Sequence, residues 1–305
     1  MSSTTTAAVA RYSAALRYEL SLRNHAYAEK HNFKHCASYG SQPVICYEPD
    51  GATHGNFLPP TYRAIVANPQ WSRRLHKAHT SARTALPRND RGFWSELDSS
   101  NSSDALLMNL FCFPGVFRDG RVRSLLGLDE DAVPEFGFKA RVPLANGKFD
   151  RTEVDMRLGN LLVEAKLTES DFQSREKGIV GSYRDFEDVF DRKGLPVCHG
   201  SLARAPEEWP TLAGAASVGK KPTHYASYQL IRNVLAAHAS GCSFCVLYDE
   251  RRPDLREAWY AIMSCVRSVD LRLRCKALTW QELAAVTPKR LAAFLEEKYG
   301  IVPDL

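Results

Sequence analysis

The spacing of apolar positions changes several times along the chain, and each change predicts a different element. Over residues 11–30, Ala15, Leu16, Leu20 and Leu22 recur among polar positions, which predicts a helix. The Ser/Thr/Ala-rich residues 1–9 before it are expected to fray. Residues 31–62 read as loop. Residues 98–103, Asp-Ser-Ser-Asn-Ser-Ser, form the best candidate boundary in the chain. They suggest an accessory region, residues 1–102, ahead of a second unit, residues 103–305.

Beyond that boundary the pattern is firmer. Ser103-Asp104 can cap a helix through Phe111. Residues 136–144 alternate like a strand and end in an Asn146-Gly147 turn. Residues 152–158 and 161–167 are two strands joined at Gly159-Asn160. Residues 170–222 are polar and irregular, with one helix expected near 182–190. Tyr225–His238 is amphipathic, with Leu230, Val234 and Leu235 on one face. Phe244–Tyr248 suits a buried strand. Leu271–Leu278 alternates Leu and Arg, which predicts an edge strand. Thr279-Trp280-Gln281-Glu282 has capping-box spacing, and a last helix runs over Lys289–Tyr299 to Gly300.

The hairpin over 153–166 carries the chemistry. With a two-residue loop at Gly159-Asn160, Leu158 faces Leu161, Asp155 faces Glu164 and Glu153 faces Lys166. Alternation puts Val154, Met156, Leu158, Leu161, Val163 and Ala165 on one apolar face. Glu153, Asp155, Arg157, Leu162, Glu164 and Lys166 share the other. Two carboxylates opposed at about 5 Å destabilise a sheet unless a cation lies between them. Hard oxygen ligands suit Mg²⁺. A solvated charged face is the bland alternative. The crossed acids and the lysine two residues on favour a site.

Composition adds limits rather than a function. Apolar residues make up 44% and charged residues 25% of the 305 residues, the profile of a globular protein. No window is long and apolar enough to span a bilayer, and no secretory signal is legible, so no membrane partner is expected. Eight cysteines are too few for a disulfide scaffold and suit a reduced, cytoplasmic setting. The net charge of +5 says little by itself. Residues 63–91 concentrate it: Arg63, Arg73, Arg74, Lys77, Arg83, Arg88 and Arg91 stand against Asp90 alone. That stretch can meet a phosphate backbone or form an ordinary solvated face. Trp71 within it reads as core.

Asp155 followed by Glu164-Ala165-Lys166 resembles the signature of the PD-(D/E)XK nuclease superfamily, with Val154 where proline is usual. The order helix, three strands, helix, strand over residues 103–250 fits the same group, and an uncharacterised bacterial family within it is the finer match. The resemblance implies an α/β fold: a restriction-endonuclease-like αβββαβ core, a mixed sheet flanked by helices, behind a mainly helical or irregular N-terminal region. It implies a metal-dependent endonuclease or exonuclease hydrolysing phosphodiester bonds, with DNA as the default partner. Asp155, Glu164 and the Ala165 carbonyl would bind Mg²⁺, or Mn²⁺ in its place, and Lys166 would orient or help deprotonate water. Asp104, Glu153, Glu135, Gln229 and Arg232 are accessory candidates. Asp104 is the only acid on the first core helix. Glu153 can take a second metal or pair with Lys166. Gln229 and Arg232 have solvated helix positions as their ordinary reading. A non-catalytic nucleic-acid-binding or structural relative is the rival. The oligomeric state is open, with a homodimer compatible.

Other signals carry less. Gly214–Lys221 matches most of a phosphate-binding loop but has Lys221 where Ser or Thr should meet Mg²⁺. Cys242 and Cys245 read as buried structural thiols. His35, Cys36, Cys46 and His54 have zinc-type donors at irregular spacing.

Overall fold

The computed structural model describes residues 3–38, 43–77, 94–118, 120–129, 132–199 and 222–303, with side chains from residue 11 onward. The Gly214–Lys221 loop and Arg83, Arg88 and Arg91 fall outside the described residues.

The first helix, α1, spans Ser3–His31, so the backbone helix begins before the predicted start and takes in most of the stretch expected to fray. Helix α2 is Ser103–Phe111. Its cap is Ser102, one residue earlier than expected, whose hydroxyl accepts the Ala105 N–H. Strands β1 (Pro134–Lys139), β2 (Glu153–Leu158) and β3 (Leu161–Ala165) follow. Helix α3 (Tyr228–Ser240) leads to β4 (Ser243–Tyr248) and helix α4 (Pro253–Met263). Strand β5 (Cys275–Thr279) and helices α5 (Trp280–Val286) and α6 (Lys289–Tyr299) complete the chain.

The central sheet has the order β5-β4-β3-β2-β1. Strands β1, β2 and β3 form antiparallel pairs, and β3, β4 and β5 run parallel. It is a mixed sheet, with helices on both faces. One core packs Met156, Leu158, Leu161, Val163 and Ala165 against α1, α2, α5 and α6. The other packs Leu162, Phe244 and Val246 against α3 and α4.

Several boundaries move for local reasons. The predicted strand over 136–144 divides: β1 ends at Lys139, and Val142–Pro143 pairs with Phe149–Asp150 in a separate hairpin around Asn146-Gly147. The Leu-Arg alternation at 271–274 belongs to a short helix, Val269–Leu273, because Ser268 caps the Leu271 N–H. Leu271 is buried there and Leu273 is exposed, so the alternation has only one inward position. Within 31–62, read as loop, two short hairpins pair His35–Ala37 with Ile45–Tyr47 and Pro49–Asp50 with Thr53–His54. The irregular stretch holds short helices at Lys177–Val180 and Phe186–Val189. The capping box at Thr279 and Glu282 and the left-handed Gly300 form as predicted.

The segment 98–103 is buried at Asp98, Ser99, Ser100, Ser102 and Ser103. Asn56 donates across it to Leu97 O and Ser99 O, and Asn109 of α2 donates to Asn56 O. Leu16, Leu20 and Tyr27 of α1 share a core with Leu291, Phe294 and Leu295 of α6. Both sides of residue 102 therefore contribute to one apolar core.

Lys298 closes this contact. It is fully buried, and its ammonium donates to Asn24 Oδ1 at 2.5 Å. Its Nζ lies 3.9 Å from the centre of the Tyr47 ring, 4.9 Å from Tyr27 and 5.5 Å from Tyr299. Burial pushes its pKa well below the ordinary lysine value. Asn24 Oδ1 also accepts the Tyr47 hydroxyl, so it keeps a donor without the lysine. Lys298→Met fills the same space without a buried amine and is expected to cost at most about 1 kcal/mol. Lys298→Ala leaves a cavity and is expected to cost about 2–4 kcal/mol. Urea denaturation compares the two. Equal losses would show that the ammonium, rather than the packed stem, holds α1 to α6.

Candidate active site

The site forms where the β2–β3 ladder stops. Pairing runs from Leu158↔Leu161 through Arg157↔Leu162 to Met156↔Val163, as the two-residue loop predicts. Asp155 and Glu164 are not ladder partners, and neither are Glu153 and Lys166. The Asp155 carboxylate itself takes the Ala165 N–H, at 2.8 Å, where a main-chain carbonyl of β2 would otherwise accept. On the other edge of β3, the Lys166 N–H donates to Leu247 O of β4 at 2.8 Å, an ordinary rung of the parallel pair. Strand alternation breaks at the same level. Met156 packs in one core and Val154 in the other. Gly137, with φ +66°, sits between the β1–β2 pairs Phe136↔Met156 and Phe138↔Val154.

Glu164 and Lys166 are both buried, and they pair at 2.7 Å. The other Glu164 oxygen accepts from Asn233 Nδ2 at 2.8 Å. Asn233 lies on α3 one turn beyond Gln229. It was absent from the sequence-derived candidates, and its spacing from Gln229 is the only signal that pointed to it. Gln229 Oε1 is buried and has no hydrogen-bond partner among the described residues.

Burial pushes the Asp155 carboxyl well up from its ordinary value, and Glu164 and Asp104 push it further. Lys166 and the Ala165 N–H pull in the opposite direction and do not prevail. Burial opposes the charged form of Lys166, but Glu164, Glu169 and Asp155 outweigh it, and the ammonium is held above the ordinary lysine value. The three motif residues are thus electrostatically coupled around one point. Glu169, another residue the sequence did not single out, accepts from Ser103 Oγ at 2.5 Å and from the Leu167 N–H at 2.7 Å.

The accessory candidates separate. Asp104 is buried beside the site, where Arg74 Nη2 and Lys77 Nζ, the latter at 3.1 Å, both meet its Oδ2. Glu153 pairs with Arg74 Nη1 at 3.2 Å rather than with Lys166, because Lys166 turns inward to Glu164. Glu135 is on the exposed side of β1, 3.9 Å from Arg157 Nη1. Arg232 is not a solvated helix arginine. It is 2% exposed, donates to Thr152 O, and lies 3.4 Å from Asp150 Oδ2 and 2.8 Å from Asn233 Oδ1. It therefore fixes the asparagine that holds Glu164. Trp71 packs on Phe136 and donates to Pro134 O at 2.9 Å, as expected of a core residue.

The zinc-type residues do not assemble. Cys36 and Cys46 are register partners in a hairpin, while His54 Nε2 lies 3.1 Å from Asp98. Cys242 and Cys245 are buried free thiols. Among the described residues, the one group of three His, Cys, Asp or Glu side chains that can chelate an ion is His25, Glu29 and His35, whose ligand atoms lie within 4.8 Å of one another. His35 Nδ1 faces Phe33 O at 2.8 Å, the kind of carbonyl contact that orients a metal-binding imidazole. This cluster sits toward the C-terminal end of α1. Ser13, which donates to Thr168 O two residues past Lys166, is twelve residues earlier on the same helix. At 1.5 Å per residue the two places are roughly 18 Å apart along the helix.

A mixed sheet in αβββαβ order, with paired acids and a lysine where its central hairpin opens, defines a restriction-endonuclease-like protein. The family model described as "Restriction Endonuclease associating with ARP" matches residues 21–300, and the chain belongs to that family. The match crosses residue 102 and takes in most of the N-terminal region. No curated protein and no solved structure gives a significant match. Among the described residues, no helix is long and apolar enough to cross a membrane.

The raised Asp155 carboxyl has a measurable consequence. An unfolded chain ionises this group near 3.8, whereas the folded, metal-free chain resists its ionisation. The contribution of Asp155 to stability is thus full below the unfolded value and is lost as pH rises through the raised one. Asp155→Asn removes the charge and keeps an acceptor for the Ala165 N–H. In EDTA at neutral pH it is expected to melt about 2–4 °C above wild type, a gain on the order of 1 kcal/mol. Melting at or below the wild-type temperature would count against a strained carboxylate.

Proposed function

We propose that the chain is a metal-dependent nuclease that hydrolyses phosphodiester bonds, with DNA as substrate and Mg²⁺, or Mn²⁺, as its ion. One observation carries the reading. At the position the nuclease motif requires, the half-buried Asp155 carboxyl is pushed above its ordinary range by loss of solvent first, and further by Glu164 and Asp104, with its oxygen fixed by the Ala165 N–H. With Lys166 as the only cation facing Glu164 among the described residues, such a site is short of positive charge until a further cation enters. Its donors are hard oxygens, the set that suits Mg²⁺.

Asp155 and Glu164 would hold the ion, with the Ala165 carbonyl as a further ligand. When bound, the ion supplies Lewis acidity toward phosphate oxygen and lowers the pKa of water. The protein's own groups do the rest. The main-chain N–H of Ala165 fixes one Asp155 oxygen, and Asn233 fixes one Glu164 oxygen, so both carboxylates are oriented in advance. Lys166 keeps its proton on Nζ, because its acidic neighbours raise its pKa. Its role is therefore to orient water and offset charge developing on the phosphate. Deprotonating the water, the other role the motif allows, does not fit a lysine held as ammonium. The family description also names an association with ARP, and that association is the partner we propose beyond nucleic acid.

Cleavage of linear, circular and single-stranded DNA and of RNA, each with Mg²⁺ or Mn²⁺, tests the reading. Lys166→Ala and Asp155→Ala are each expected to slow cleavage by about 10²–10⁴-fold. Cleavage at the wild-type rate by either variant would overturn the assignment.

A further inference from the structure

We propose that the Arg74 guanidinium stands where a second metal ion would bind, so that the site takes a single divalent cation per chain. The inference rests on the nuclease reading above and concerns how many ions that site accepts. Two acids beside the motif, Asp104 and Glu153, are in position to recruit a second ion. Both converge on Arg74: Nη2 meets Asp104 and Nη1 lies 3.2 Å from Glu153. Lys77 adds a second cation to Asp104 at 3.1 Å, while also holding Glu96 at 2.9 Å. Glu153 lies two residues before Asp155 on β2, and Arg74 meets it at 3.2 Å, so this guanidinium stands beside the first cation position.

The arrangement is built into the fold. The Asp104 side chain is 6% exposed and that of Arg74 11%, so neither is a loose surface partner. Gly137 makes the room. A Cβ there would collide with Arg74 Nη1, and the residue holds φ +66°. Arg74 Nε is buried with no partner among the described residues. An unpaired buried donor is costly, so the guanidinium is placed to bridge two carboxylates rather than to satisfy all its own donors. A planar fork with fixed donors suits bridging, which a lysine point charge does not.

Counting bound Mn²⁺ by titration calorimetry on the full chain tests this. A His25→Ala/His35→Ala background removes the separate cluster at the end of α1. That protein is expected to bind one ion, and Asp155→Ala to abolish it. Asp104→Asn alone is expected to leave one ion with affinity close to that of the background. Arg74→Met/Lys77→Met frees Asp104 and Glu153 and is expected to add a second ion, which Asp104→Asn then removes. Two ions in the background protein, or loss of the single ion in Asp104→Asn, would overturn the inference and leave the nuclease reading standing. A folded Arg74→Met/Lys77→Met protein that still binds one ion would also overturn it. No ion in any form would overturn both. If the double variant does not fold, the background count and Asp104→Asn decide between the outcomes.

Discussion

The structure depends on keeping the polar side chains of Glu164, Lys166 and Thr168 buried at the mouth of an apolar sheet. A carboxylate and an ammonium taken out of water must be paired and hydrogen-bonded, or the fold does not tolerate them. Each neighbouring element supplies at least one contact to that end. Strand β2 sends the Asp155 carboxylate to the Ala165 N–H. Helix α3 sends Asn233 to Glu164. Trp280 of α5 donates its indole N–H to Lys166 O at 3.0 Å. Arg252, fully buried before α4, reaches Leu167 O and Ser170 O. Ser13 and Arg17 of α1 both meet Thr168 O.

That convergence explains why the N-terminal region cannot be read apart from the sheet. Helix α1 supplies contacts to the segment after Lys166 and also packs on α6. The stretch around Arg74 and Lys77 supplies cations to acids of α2 and β2. Part of the local basic excess is thereby spent inside the protein, as Arg74 and Lys77 face Asp104, Glu153 and Glu96 rather than solvent. A charge run in a sequence does not reveal whether its partners are phosphates or its own carboxylates.

The three strands of the hairpin region, Phe244–Tyr248 and the helices α1, α2, α3 and α6 were legible because period-2 and period-3.6 patterns, turns and caps act locally, whereas α4 at Pro253–Met263 was not anticipated. The motif residues were legible for the same reason, since Asp155, Glu164 and Lys166 lie within one hairpin. What sequence spacing did not reveal is non-local. The opposition of Asp155 and Glu164 assumed that the ladder continues, but the Asp155 side chain replaces a backbone acceptor and ends it. Arg232 looked solvated because its partners, Asp150 and Thr152, lie some eighty residues away in the chain. Asn233 and Glu169 matched no motif, since their roles come only from the packing of α3 and α2 against the hairpin. The Leu-Arg alternation at 271–274 misled because four residues fit both periods, and a cap at Ser268 decided for helix.

The two places whose side chains could hold an ion differ in their donors. Around Asp155 the described acids include Glu164, Glu169, Asp104 and Glu153, while the nearby cations are Lys166, Arg74 and Lys77. Each of those cations already faces at least one carboxylate. Loss of solvent, and then Glu164 and Asp104, push the Asp155 carboxyl up, and Lys166 does not offset them. An all-oxygen, charge-deficient pocket favours a hard divalent ion that binds few carboxylates and keeps water. The His25, Glu29 and His35 cluster offers two imidazoles and one carboxylate near the surface, a set suited to a softer ion such as Zn²⁺. The two places would thus sort metals by ligand type.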